Sequence, residues 1–162
     1  MKGIFRIIVI AFALIGCSSD DDEGIDCALF DPVIPELYIR FVDENGVNLI
    51  EKGTIDPENS IVSGDFPNPD FYYIPANENL QPESEFRNYD PTLLLYIPGE
   101  TTFLYTFDLN DTHSVNLEFK ADYTELPCSM SFYVPTELAY NDQIIALEDT
   151  ESSLRFLIDI TL

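Results

Sequence analysis

The chain carries one histidine, His113, in Asp111-Thr112-His113-Ser114. To act as a general base it needs a nucleophile in front, an orienting acid behind, and a pocket to hold the three together. No Gly-x-Ser-x-Gly elbow is present and its neighbours are turn residues, so His113 reads as a solvated surface histidine. No catalytic residue is expected, and the chain reads as a non-enzyme. The 30 Asp and Glu residues make some carboxylate pair inevitable, so composition alone cannot argue for glycosidase chemistry. Asp108, Asn110 and Asp111 at one turn, and Asp43, Glu44 and Asn45 at another, offer oxygen ligands at short spacing. Calcium takes about six to eight oxygens and neither cluster follows an EF-hand loop. Ordinary turn composition explains both, and no metal or other cofactor is expected. Tyr72, Tyr73 and Tyr89 lie in a stretch rich in Pro, Asn, Asp and Glu, where exposed rings would suit stacking on sugars. The competing assignment has them capping the end of a core, and the absence of tryptophan weighs against the sugar reading.

The elements around these residues repeat with period two. Phe103, Tyr105, Phe107 and Leu109 alternate with Leu104, Thr106 and Asp108. After Asn110-Asp111-Thr112, Val115, Leu117, Phe119, Ala121 and Tyr123 alternate with Ser114, Asn116, Glu118, Lys120 and Asp122. Such alternation puts one face in a core and the other in water, and the polar triplet supplies the turn of a hairpin over 102–123. A strand over 37–42 runs into Asp43-Glu44-Asn45-Gly46, with 47–50 expected to return as its hairpin partner. Residues 93–97 are apolar on both sides and should form a central strand. Residues 154–160 alternate again, and 70–74, 129–134 and 143–147 are shorter candidates. Eleven prolines argue against long helices, leaving at most a helical turn near 136–140. The sum is an all-β, antiparallel sandwich of about seven to nine short strands. The stretch 37–50 resembles the opening of immunoglobulin-like or transthyretin-like modules. Residues 56–91 read as the long irregular segment.

The amino terminus has a different grammar. Lys2 and Arg6 precede nine apolar residues, Ile7 to Ile15, then Gly16 and Cys17. That run suits a secretory signal and falls far short of the roughly 20 residues a membrane-spanning helix needs. Leu14-Ile15-Gly16-Cys17 resembles the lipobox of bacterial lipoproteins. The resemblance implies a signal peptide over 1–16, cleavage before Cys17, lipid on Cys17, and anchoring in a membrane. Asp20, Asp21, Asp22 and Glu23 follow, and they resemble the acidic export tract of surface lipoproteins of the Bacteroidota. This implies transfer to the outer face of the outer membrane, with 17–26 as a lipidated, solvated tether. The alternative is a plain spacer.

Removing the signal leaves 146 residues, enough for a real core, and 27–162 are expected to form one sandwich domain. With Cys17 lipidated, Cys27 and Cys128 remain, and a disulfide between them is the expected state of an exported chain. Two separate buried thiols are the alternative. The full chain has a formal charge of −23, and losing Lys2 and Arg6 takes the mature chain to −25. That surface repels nucleic acid and anionic headgroups, so neither is an expected partner. At 46% hydrophobic and 13% aromatic residues the chain can still pack a core. The functional expectation is a lipid-anchored binding or accessory module for an unidentified protein or glycan. A carbohydrate-binding component of a glycan-uptake system comes second, and a small hydrolase third.

Overall fold

The hairpin with the clearest alternation forms as its pattern dictates. β5 (Thr102–Asn110) and β6 (His113–Glu125) pair antiparallel, with Phe103 opposite Phe119, Tyr105 opposite Leu117 and Phe107 opposite Val115. All six point inward and are essentially inaccessible to solvent. The Phe103 and Phe119 rings stack at 5.1 Å between centroids. Burying each such side chain contributes about 1.5–3 kcal/mol, so this hairpin supplies much of the core.

The computed structural model describes residues 24–81, 83–110, 113–147 and 154–162. The signal 1–16, Cys17 and the tract Asp20 to Glu23 lie outside the described residues. The remaining strands are β1 (Glu36–Val42), β2 (Ile61–Gly64), β3 (Phe71–Ile74), β4 (Thr92–Leu95), β7 (Ser131–Tyr140), β8 (Gln143–Ala146) and β9 (Arg155–Thr161). They make a four-stranded sheet, β3-β4-β1-β9, and a five-stranded sheet, β2-β5-β6-β7-β8. The inner faces meet through Leu37, Ile39 and Phe41 on one side and the hairpin's rings on the other, with Phe41 edge-on to Phe107 at 5.7 Å. No helix among the described residues is long and apolar enough to cross a membrane.

Three local expectations change. The pairing is mostly antiparallel, but β1 and β9 run parallel over Glu36↔Arg155 to Val42↔Thr161; alternation reports which face a residue takes and is blind to strand direction. Residues 47–50 do not return as a strand, and only a single bridge, Val42↔Asn48, forms. β9 holds one edge of β1 and β4 holds the other over Leu37–Ile39, so 47–49 find only its far end, with Leu49 N donating to Phe41 O and Asp43 N to Val47 O, each at 2.9 Å. The buried Asn48 then turns the chain away, its Oδ1 accepting from Ile50 N at 2.9 Å and its Nδ2 donating to Pro91 O at 2.8 Å. Residues 136–140 are strand, not helical turn, and belong to β7. A register shift lies between Lys120 and Ala121, with Ala121 opposite Pro135, so a bulge absorbs the proline where a regular ladder would not. The irregular segment also hides β2 on the edge of the larger sheet. There Gly64 has no room for a side chain, since a Cβ would sit 2.6 Å from Leu104 O.

Part of the irregular segment covers the outer face of the smaller sheet. Tyr89, in a 3-10 turn (Glu85–Tyr89), lays its ring on Tyr38 at 4.5 Å between centroids. Burial, reinforced by the hydrogen bond to Glu36, pushes the Tyr38 phenol well above its ordinary pKa. The far end of this face stays open.

Candidate ligand-binding groove

At the end of the sandwich where β1 and β3 begin and β4 ends, an open groove of about 750 Å³ remains. Its size falls within the usual range for small-ligand sites. The register explains its floor. Leu37 and Phe71 both pair with Leu95 on the inner face, and just past that row the Tyr96 N–H donates to Asp70 O at 3.4 Å. The neighbouring row, on the outer face, is Tyr72, Leu94 and Tyr38. Glu36, Asp70, Tyr72, Leu94 and Tyr96 all line the groove. Tyr72, on β3, is 69% exposed, and Tyr96, directly after β4, is 56% exposed. One wall is Ile34 and Pro35, leading into β1; the opposite wall is Ser131, Phe132 and Tyr133, at the start of β7.

The disulfide Cys27–Cys128 joins the segments that enter these two walls. Cys27 precedes the Ile34 wall, and Cys128 sits in the 3-10 turn Pro127–Ser129 just before the Ser131 wall. Cys128 and Ser129 both take positive φ, 65° and 57°, a left-handed kink that redirects the chain into β7.

Electrostatically the groove is acidic. Glu36 Oε2 accepts from Tyr38 Oη and from Arg155 Nε, each at 2.9 Å. Asp70 Oδ1 accepts from Phe71 N at 2.8 Å. Every basic residue after Arg6 is held by an internal acceptor. Arg40 forks onto Asp159 at 2.6 and 2.8 Å, Lys52 meets Asp43 and Lys120 meets Glu137. Arg87 donates to Leu80 O at 2.7 Å, and Arg155 reaches Glu36. Among the described residues each Lys and Arg is thus paired internally, and Arg155, on Glu36, is the one tied to a groove carboxylate.

The residues singled out by sequence scatter. Tyr72 is in the groove; Tyr73 packs against the core from the inner face, and Tyr89 covers Tyr38. His113 is exposed at the β5–β6 turn, with Nδ1 3.1 Å from Asn110 Oδ1. The nine-residue β5, roughly 25–30 Å of strand, separates that turn from the groove end of the hairpin. Asp43 uses Oδ1 for the N–H groups of Asn45 and Val47 and Oδ2 for Lys52. Asn110 Oδ1 caps His113 N, and Asp111 lies outside the described residues. Among the described residues, no group of three or more His, Cys, Asp or Glu is placed to hold a metal ion.

Tyr96, Glu36, Phe132 and Tyr133 went unnoticed in the sequence. A signal existed for Tyr96, an aromatic that follows an apolar run just before Ile97-Pro98-Gly99, where a chain leaves its ladder. No family model, no curated protein and no solved structure matches the chain.

Proposed function

We propose that this chain is a lipoprotein of the bacterial outer membrane, anchored through lipid on Cys17 and facing the cell exterior. Its sandwich serves as a non-enzymatic binding module with the groove as its ligand site. The observation that carries the binding role is the pair of exposed rings, Tyr72 and Tyr96, on the floor of an open groove. Large exposed apolar surface is otherwise uncommon on soluble domains and marks recognition sites. Between the two ligand classes expected, protein and glycan, these rings favour the carbohydrate reading. The hydrolase reading gains nothing from Ser131 in the groove, because the one histidine stands at the other end of the hairpin.

Location and binding are tested separately. Replacing Cys17 by Ser should release the chain from the membrane fraction. Replacing Asp20 to Glu23 by alanine should keep it lipidated yet shield it from proteinase K added to whole cells. If the Cys17→Ser chain stays membrane-bound, the anchor is wrong. For binding, the full chain is screened by thermal shift against oligosaccharides and peptides beside a Tyr72→Ala/Tyr96→Ala variant. Hits that persist unchanged in the variant would place the ligand elsewhere.

A further inference from the structure

Two tyrosine rings and two carboxylates share the lining of one groove, Tyr72 and Tyr96 with Glu36 and Asp70. Tyr96 directly follows β4, and its N–H donates to Asp70 O at 3.4 Å, which ties it to the residue leading into β3. Tyr72, on β3, pairs with Leu94, two residues before Tyr96. The platform is held in place from behind. The buried Tyr105 hydroxyl reaches the carbonyls of both Tyr96 and Asp70, at 2.6 and 3.3 Å. The Tyr96 ring also leans on Phe66, with centroids 6.5 Å apart. A preorganised surface loses little freedom on binding.

Resting on the reading of this groove as the ligand site, we propose that its ligand is an uncharged polysaccharide. The apolar C–H faces of successive sugar rings pack on Tyr96 and Tyr72, and their hydroxyls donate to the Asp70 and Glu36 carboxylates. Hydroxyl-to-carboxylate bonds are charge-assisted and stronger than neutral ones, while aromatic faces supply contact area with few torsions to freeze. The charge pattern excludes acidic glycans. A uronate or sulfate group would meet two carboxylates, on a chain of formal charge −23, with each nearby cation already committed. A purely apolar ligand fits no better, since it would strip water from both carboxylates and offer no donor in return.

Affinity electrophoresis of the detergent-solubilised full chain tests this. Gels carry a neutral polysaccharide (xyloglucan, galactomannan, soluble starch or laminarin) or an acidic one (polygalacturonate or dextran sulfate). At least one neutral polymer should retard the chain while the acidic ones do not. Tyr96→Ala should weaken that retardation at least about tenfold, equivalent to about 1.4 kcal/mol. Asp70→Asn should weaken it less, and Ile144→Ala, on the exposed edge strand β8, should leave it intact. Retardation by no neutral polymer, equal retardation by the acidic ones, or full retention by Tyr96→Ala overturns the proposal. A parallel selection with a random-peptide phage library separates the two levels of the argument. If the gels are silent but Tyr96→Ala abolishes peptide capture, the glycan is refuted and the groove stands. If Tyr96→Ala changes neither assay, glycan and groove fall together.

Discussion

The Tyr105 hydroxyl, rooted in one sheet, donates to the main-chain carbonyl of Tyr96 at the end of a strand in the other, at 2.6 Å. Tyr105 is 0% exposed, and burial, the leading cause, pushes its phenol well above the ordinary range, so it is a neutral donor throughout the physiological range. Tyr105→Phe keeps the ring and removes the donor. The unpaired carbonyl should cost about 1–3 kcal/mol, read as a lower urea midpoint with an unchanged slope. Groove binding should weaken as well, because Tyr96 and Asp70 lose a shared anchor.

The disulfide Cys27–Cys128 closes a loop with a sequence separation of 101. Replacing both cysteines by serine should lower stability by up to roughly 4–5 kcal/mol if the effect is unfolded-state entropy. Denaturation of the reduced wild type should match that of the double variant. A loss below about 1 kcal/mol would mean that the unfolded chain is already compact in this region.

Asp43 folds the Asn45-Gly46 turn around its carboxylate. The Val47 N–H leads in holding its pKa below the usual carboxylate value, helped by the Asn45 N–H and Lys52. A group whose folded pKa is depressed contributes stability above its unfolded pKa and loses it as pH falls through the folded one. Thermal midpoints should therefore drop as pH falls below the ordinary aspartate pKa of about 3.9, and Asp43→Asn, which keeps an acceptor without the charge, should drop less over that span. Identical pH profiles would remove Asp43 from the account.

Gly64 offers a steric test. A methyl group there would meet Leu104 O, a backbone atom of the paired strand that cannot swing aside. Gly64→Ala should destabilise by about 1–3 kcal/mol, as overpacking typically does, and should loosen β2 from β5. Hydrogen exchange at 61–64 reads this directly.

What the sequence made legible follows from which forces are local. The 102–123 hairpin could be read because every second residue is apolar and the turn is polar. β4 could be placed centrally because both of its faces are apolar, and it does lie between β3 and β1. The Cys27–Cys128 pairing followed from cysteine parity once Cys17 was set aside. The failures share another cause. How far 47–50 could pair with β1 depended on β9 holding one edge and β4 holding the other over Leu37–Ile39. The strand character of 136–140 depended on pairing with β6 and on a bulge beside Pro135. Tyr96 became a groove residue only by meeting Glu36 and Asp70 in the groove lining, two residues distant in the chain. Periodicity shows how a residue faces; it does not show who stands next to it.

The parallel alignment of β1 and β9 has a mechanical consequence. A pull between the chain entering β1 and the chain leaving β9 acts along both strands in opposite directions, at opposite ends of one ladder. The seven paired positions are then loaded in shear and must yield together, whereas a ladder pulled from one end would unzip pair by pair. Cys27 is bonded to Cys128, in the turn between β6 and β7 of the other sheet, so part of a load applied ahead of Cys27 passes directly into the segment entering β7.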